Sequence, residues 1–278
     1  MTINCKGKLI DFHRPKIMGI VNLTTDSFYS GSRFADSGEA ILLETVAKML
    51  ADGADFIDIG AYSTRPGADD VPLEVEKQRV VAAVATLCSE FPDLLISVDT
   101  FRAAVADAAL AEGAALINDV TAGLGDNDMF HVVANQQVPY IMMHMRGTPK
   151  TMTQLNQYND LTGEILLYFS ERIAAARALG INDLILDPGF GFAKNIEQNF
   201  ALLRHFADFK IAGLPLLAGI SRKSMIYKTL ETTAEHALNG TTFLHAFALQ
   251  GGANILRVHD VKEAVEAVRL FEKFSAAH

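Results

Sequence analysis

The 278-residue chain contains no tryptophan and only two cysteines, and it has no apolar run long enough to cross a membrane. Cys5 and Cys88 cannot build a disulfide framework, and their spacing matches no zinc motif. The longest largely apolar stretch, residues 80–88, is far shorter than the ~20 residues of a spanning helix. The N-terminal residues also lack the apolar segment and cleavage site of a signal peptide. These absences favour a soluble cytoplasmic protein that does not bind membranes.

Basic residues are scarce, since 24 lysines and arginines stand against 33 acidic residues and give a formal net charge of −9. A dedicated nucleic-acid binder normally carries a basic face, so the charge balance argues against nucleic acid as a partner. Hydrophobic residues make up 50% of the chain, which excludes a disordered protein. An acidic protein can still bind an anion through a few converging basic groups.

Short apolar runs recur along the chain with helical segments between them. The runs are nearly continuous rather than alternating, which is typical of parallel strands covered on both faces. Eight such units in a chain of this length predict an α/β fold, a (β/α)8 TIM barrel, as a single domain over residues 1–278. A doubly wound open sheet is the alternative. The eight candidate strands are residues 17–23, 56–61, 94–100, 116–120, 140–145, 184–188, 216–221 and 253–259.

Three helices have recognisable ends. An apolar stripe within residues 41–50 is followed by Gly53, and a second stripe within residues 165–179 is followed by Gly180, which predicts a C-terminal stop for each helix. Asp260 is expected to cap the last helix.

Unusual polar residues cluster at or just after the C-terminal ends of the apolar runs. In a barrel, that face carries the active site. The residues concerned are Asn22, Thr64, Arg65, Asp99, Asn118, Asp119, His144, Arg146, Asp187, Ser221, Arg222, Lys223, Arg257 and His259.

Asp99 and Asp187 end apolar strands, where a carboxylate is costly without a partner. Each can accept hydrogen bonds from the N–H groups of a polar heterocycle, or it can be a structural aspartate paired with arginine. Lys223, Arg257 and His259 follow strands seven and eight, which is the habitual phosphate site of the barrel. The alternative for these cations is a surface ion pair.

The eight histidines form no HxH or HExxH pattern, so a histidine-based metal site is not expected. Mg²⁺ held jointly by a substrate phosphate and an oxygen ligand is compatible with the sequence, with Asn22 as the candidate ligand. Two long polar segments, residues 22–37 and 62–74, follow the first two strands and are expected to cover the barrel mouth as lids.

Seven motifs follow one another along the chain: GIVNLTTDSF (19–28), STRPGA (63–68), SVDT (97–100), INDV (117–120), DPGFGFAKN (187–195), GISRKSM (219–225) and RVHDV (257–261). In this order they resemble the motifs of the dihydropteroate synthases of folate biosynthesis. The resemblance runs from about residue 16 to 272 and implies the (β/α)8 barrel and a homodimer. It also implies a transferase that joins 6-hydroxymethyl-7,8-dihydropterin diphosphate to p-aminobenzoate and releases diphosphate before the amine traps a pterin cation.

The resemblance also implies roles for individual residues. Asp99, Asp187, Lys223, Arg257 and His259 would be the catalytic set. Asp26 and Arg65 would order the closed site. The pterin pocket would comprise Asp99, Asn118, Asp187 and Lys223 with Met142 as an apolar wall, the diphosphate site Asn22 with Mg²⁺, Arg257 and His259, and the p-aminobenzoate site Phe28, Thr64, Pro66, Phe192 and Ser221.

The chain departs from the family pattern in a few places. Ala61 and Tyr62 stand where the family often has Gly and Glu, and Ala193 replaces a glycine before Lys194. Tyr62 puts the geometry of the second loop, and with it the response to sulfonamides, in question. A pterin-using methyltransferase or a non-catalytic pterin binder are the alternatives. Neither explains why the full set of anion-binding and aryl-amine motifs is present.

Overall fold

The computed structural model describes residues 1–23, 35–62, 70–148 and 151–277, except for the side chains of residues 35–37 and 153. None of the helices in these ranges is long and apolar enough to cross a membrane. The strands are β1 (Thr2–Cys5), β2 (Lys8–Asp11), β3 (Lys16–Asn22), β4 (Phe56–Gly60), β5 (Ile96–Asp99), β6 (Leu116–Asp119), β7 (Tyr140–Met143), β8 (Leu184–Asp187), β9 (Leu217–Ala218) and β10 (Ile255–Val258).

Helices follow the strands of the barrel on its outside. Short 3₁₀ helices cover Met152–Gln154, Phe206–Ala212 and Ala234–His236. The α-helices are α1 (Ala35–Asp52), α2 (Leu73–Glu90), α3 (Ala103–Ala111), α4 (Met129–Gln136), α5 (Leu161–Ala178), α6 (Ile196–Arg204), α7 (Ser224–Thr229), α8 (Leu238–Gly251) and α9 (Val261–Ala276).

Eight parallel strands, β3 to β10, form one sheet in the order β8-β7-β6-β5-β4-β3-β10-β9. A parallel bridge between Leu186 of β8 and Leu216, the residue before β9, joins the two ends. The sheet is therefore closed, which confirms the predicted barrel and excludes the open-sheet alternative. Each strand lies within its predicted apolar run, except that β3 begins one residue earlier.

Side chains alternate between the helix layer and the barrel interior along each strand. The N-terminal end of the interior is filled by apolar residues from seven of the strands, and the antiparallel β1–β2 hairpin packs against them through Ile3 and Cys5. The sequence analysis did not predict this hairpin. It plugs the bottom of the barrel, so the opposite end is the open one.

Helix ends agree with the predicted stops, with one correction. Gly53, directly after α1, and Gly180, two residues after the end of α5, have φ angles of +103° and +83°. Asp260 occupies the N-cap position of α9, but its side chain makes no capping hydrogen bond. The prediction of a capping role is wrong because both carboxylate oxygens accept from the Arg222 guanidinium, at 2.8 and 2.7 Å.

Candidate active site

The polar residues singled out in the sequence come together at the C-terminal mouth of the barrel. Asn22, Asp99 and Asp187 are the last residues of β3, β5 and β8. Asn118 lies in β6 next to Asp99 in register, and Arg257 lies in β10. Because all eight strands run in one direction, these ends share one rim.

Arg257 is the centre of a hydrogen-bonded network across the barrel. Its Nε donates to Oδ2 of Asp58 at 2.5 Å, and its Nη2 donates to Oδ2 of Asp99 at 2.7 Å. The same Asp58 oxygen accepts from Nδ2 of Asn118 at 3.1 Å. Strands β4, β5, β6 and β10 are therefore tied together through side chains inside the barrel.

Burial sets the electrostatics of this network. Burial raises the pKa of Asp99 to about 7, with Arg257 opposing the shift and Asp58 adding to it. Burial alone lowers the pKa of Arg257, but the carboxylates of Asp58 and Asp99 outweigh it and raise that pKa above its ordinary value. The guanidinium therefore remains a fixed positive charge, whereas the Asp99 carboxyl is close to its titration point near neutral pH.

Asp187 faces the same interior from β8. Its Oδ1 accepts from the Gly189 backbone N–H at 2.8 Å. Burial raises the pKa of Asp187, while the Gly189 N–H and the charges of Lys223 and Arg257 oppose it. Nζ of Lys223 lies 4.3 Å from the centroid of the Phe192 ring, a cation–π contact. A carboxylate, two cations and an aromatic face are thus grouped on this side of the mouth.

Ser221 and His259 pair at the remaining corner. Ser221 Oγ lies 3.0 Å from Nδ1 of His259 and also accepts from the His259 backbone N–H at 3.2 Å. The neighbouring Arg222 fixes this corner by its two hydrogen bonds to Asp260. The loops after β9 and β10, predicted to form the phosphate corner, are therefore joined directly.

The prediction for Met142 is wrong. Residues paired in register share a face, and Met142 pairs with Leu186 and packs in the outer core between sheet and helices. Met143 instead pairs with Asp187 and clusters with Phe192 near the mouth. The apolar wall of the site is thus one residue further along β7.

Four predicted site residues, Phe28, Thr64, Arg65 and Pro66, lie outside the described residues, as does Asp26. The described flanks of the second loop are held by Arg102. Its Nη1 donates to the Val71 carbonyl at 2.8 Å and to Glu76 at 2.7 Å, and its guanidinium lies 5.2 Å from the Tyr62 ring centroid. Tyr62, which departs from the family pattern, therefore anchors the start of that loop.

Two features were missed in the sequence. Asp58 was overlooked because it lies within the apolar run of β4. A charged residue inside such a run is itself an indication of a functional or paired carboxylate. Lys194 extends its Nζ to the carbonyls of Gly189 and Phe192 and to Nδ1 of His144, all at 3.0 Å. Lys194 thus fixes the turn that carries Phe192.

Asn22 is the residue that could hold a metal ion at the mouth. Its side chain is exposed at the end of β3, and its amide oxygen is a ligand that Mg²⁺ accepts. One such ligand suits a Mg²⁺ that keeps several waters and binds substrate phosphates. Among the described residues, no group of three or more His, Cys, Asp or Glu could hold a metal.

Comparison with known proteins agrees with this geometry. A model of the pterin-binding enzyme family matches residues 18–259. The dihydropteroate synthase of Escherichia coli K12 is 40% identical, with 98% of this chain and 96% of that protein covered. A Yersinia pestis dihydropteroate synthase structure with a sulfonamide drug complex superposes with a TM-score of 0.92 at 40% identity, with both chains fully covered.

A Xanthomonas albilineans dihydropteroate synthase structure with 4-aminobenzoic acid gives a TM-score of 0.90 at 39% identity, with 100% of this chain and 99% of that chain covered. The barrel and its polar mouth thus define the class as pterin-binding enzymes. Within that class, the chain belongs to the dihydropteroate synthase family, transferases of folate biosynthesis.

Proposed function

We propose that this chain condenses 6-hydroxymethyl-7,8-dihydropterin diphosphate with p-aminobenzoate to give 7,8-dihydropteroate and diphosphate. The C–O bond to diphosphate breaks, a C–N bond to the aryl amine forms, and the amine loses a proton. The observation that carries the proposal is the network of Asp99, Asn118 and Arg257 in a barrel mouth shared with Asp187 and Lys223.

The inward carboxylates and amide suit the pterin. Asp187 and Asp99 accept hydrogen bonds from the N–H edge of the heterocycle, and Asn118 can both donate and accept. Their negative charge also stabilises the cation that forms when diphosphate departs. Lys223 donates to a ring oxygen or nitrogen while Phe192 and Met143 provide apolar contact. Asp99, Asp187, Lys223, Arg257 and His259 are the proposed catalytic residues.

The diphosphate is placed by Asn22, Arg257 and His259. The positive charge of Arg257 stabilises the negative charge that develops on the leaving group, and His259, held by Ser221, offers a donor at the same corner. Bound Mg²⁺, held by Asn22 and the diphosphate oxygens, would supply further charge neutralisation.

The p-aminobenzoate is proposed to bind beside Ser221 and Phe192, together with Phe28, Thr64 and Pro66 from the two loops, with Asp26 and Arg65 ordering the closed site. The relative from Xanthomonas albilineans was solved with 4-aminobenzoic acid, which supports this substrate. The relative from Yersinia pestis was solved with a sulfonamide drug complex, and we propose that sulfonamides compete at the same place here.

The test is an assay of the purified protein with pterin diphosphate, p-aminobenzoate and Mg²⁺. We expect dihydropteroate and diphosphate in equal amounts, and the absence of both would refute the assignment. Lys223→Ala and Arg257→Ala should each lower activity by about 10² or more, as for loss of one electrostatic group. Lys228→Ala, on the exposed side of α7, is the matched control and should retain activity. Near wild-type turnover in either site variant would refute its role.

We also propose that the protein is a cytoplasmic homodimer. The two described thiols, Cys5 and Cys88, are free, which suits a reducing compartment. Cell fractionation tests the location. The dimer is supported by an exposed aromatic pair on α8, and its test is set out in the Discussion.

A further inference from the structure

Asp58 occupies an unusual position for a charged residue. It lies in the middle of β4 with 0% exposure, between two strands, and pairs in register with Ser97 of β5. A buried carboxylate of this kind is retained only where partners compensate its charge. The residues that it contacts therefore indicate what it is for.

Both residues that donate hydrogen bonds to Asp58 are proposed substrate-binding residues. Its Oδ2 accepts from Arg257 Nε at 2.5 Å and from Asn118 Nδ2 at 3.1 Å. Asp58 Oδ1 and Ser97 Oγ, by contrast, are buried and have no hydrogen-bond partner among the residues that the structure describes. Asp58 thus directs one oxygen to two mouth residues on β10 and β6, the strands that lie two places away from β4 on either side.

We propose that Asp58 is a positioning residue that orients the Arg257 guanidinium and the Asn118 amide together for binding of the pterin diphosphate. This inference rests on the proposed function and adds a residue to it that touches no substrate. With Nε held by Asp58 and Nη2 by Asp99, the plane of the guanidinium is fixed at two points. The Asn118 amide is fixed at the same time, with Nδ2 toward Asp58 and its oxygen toward the opposite side.

Removing the Asp58 charge leaves Asp99 as the hydrogen-bonded carboxylate of Arg257 among the described residues. The guanidinium can then rotate about its remaining contact and pair more fully with Asp99, and the Asn118 amide loses its fixed orientation. Misplacement of about 1 Å in a reacting complex can cost about 10² in rate. We therefore expect Asp58→Asn, which keeps the volume, to lower kcat/KM for pterin diphosphate by about 10², with the KM for p-aminobenzoate changed far less.

A second readout follows from the charge of Asp58. The groups that act on the Asp99 carboxyl are Arg257, Asp58, Asp119 and Glu76, and Asp58 is one of those that raise its pKa. Loss of the Asp58 charge therefore lowers the pKa of Asp99. The acid limb of kcat/KM against pH, which reports groups of the free enzyme, should move to lower pH in Asp58→Asn.

Asp119→Asn is the matched control. Asp119 is equally buried, on β6, but its oxygens accept from Tyr140, Thr121 and Gly123 rather than from mouth residues. We expect this variant to lose stability while keeping kcat/KM at its pH optimum close to wild type, although its acid limb also moves to lower pH because Asp119, like Asp58, raises the pKa of Asp99. A merely structural role for Asp58 would make the two variants alike.

Asp58→Glu separates charge from position. It keeps the carboxylate but displaces it by one methylene, so kcat/KM should fall while the acid limb stays near that of the wild type. This variant also keeps the test decisive if Asp58→Asn does not fold.

Direct titration with the pterin diphosphate, without p-aminobenzoate, measures affinity even if the wild type proves to have no synthase activity. Weaker binding by about 10² in Asp58→Asn supports the inference. The inference would be overturned if a folded Asp58 variant kept both the affinity and the acid limb of the wild type. It would also be overturned if Asp119→Asn lost as much affinity as Asp58→Asn.

Discussion

Buried ionisable side chains near the mouth depend on partners from other strands and the loops that follow them. His144 follows β7 with 2% exposure, and its Nδ1 lies 3.0 Å from Lys194 Nζ. Burial lowers the pKa of His144 to about 2, and the charges of Lys194 and Arg146 act in the same direction. The imidazole is therefore neutral, and its Nδ1 can accept a hydrogen bond from Lys194 Nζ, which helps to fix the Phe192 turn.

This neutral histidine predicts a pH dependence of stability. Between the ordinary pKa of 6.5 and about 2, the unfolded chain binds a proton at His144 that the folded chain does not. The free energy of unfolding should therefore fall as pH drops below 6.5, by up to about 1.4 kcal/mol per pH unit from this group. Urea denaturation between pH 4 and 7 measures the slope. His144→Asn should flatten it, whereas the exposed His131→Asn should not. Equal slopes in wild type and His144→Asn would contradict the assignment.

The location of a single residue in the barrel could be predicted from the sequence where it depends only on the residue's position along a strand. Asp99 and Asp187 end apolar runs, so the sequence placed them at the rim. The prediction for Met142 was wrong because adjacent residues of a strand face opposite sides of the sheet. A fully apolar run does not show which of its residues face the barrel interior and which face the helices. Asp58 was missed for a related reason, since its partners Asn118 and Arg257 are 60 and 199 residues away.

At the scale of elements, the turn after β8 connects the fold to the site. Gly189 has a φ of +75°, and a Cβ there would lie 2.1 Å from the His144 carbonyl oxygen. Its N–H also donates to Asp187. Only glycine fits, because the obstacle is backbone rather than a flexible side chain.

Gly189→Ala is therefore expected to lower the free energy of unfolding by more than about 3 kcal/mol and to weaken pterin binding. Gly180→Ala is a matched control. Gly180 has a similar φ of +83°, but a Cβ there meets nothing within 4 Å, so only the left-handed strain of about 1 kcal/mol should appear. Urea denaturation and pterin titration measure both effects. Similar losses in the two variants would show that the contact with His144 is unimportant.

The barrel strands were predictable as elements because parallel strands buried on both faces leave long apolar runs. The β1–β2 hairpin was not, since each strand has four residues and much of β2 is exposed. Its role is visible only in three dimensions, where Ile3, Cys5 and Phe12 meet residues from the bottoms of distant strands.

At the scale of the whole molecule, the net charge of −9 does not prevent an anion site, since Lys223 and Arg257 are placed at one mouth. The outer surface also carries a group of exposed apolar residues. Phe243 and Phe247 of α8 are 63% and 46% exposed, with ring centroids 5.2 Å apart. Leu230, 54% exposed at the end of α7, packs beside Gly240 on the same side of α8.

This apolar patch of Leu230, Phe243 and Phe247 is the predicted contact between two copies of the chain. Aromatic residues are enriched at the cores of interfaces, and monomers rarely leave contiguous apolar patches uncovered. Sedimentation equilibrium at micromolar concentration should give a dimer for the wild type, and a monomer for Phe243→Glu combined with Phe247→Glu. Phe274→Glu is the control, because Phe274 is 73% exposed but lies on α9 and not on α7 or α8, and the dimer should persist. A monomeric wild type would refute the dimer. A dimer that survives in the double variant would place the contact elsewhere, since two buried carboxylates facing their symmetry copies could not be accommodated in a twofold interface.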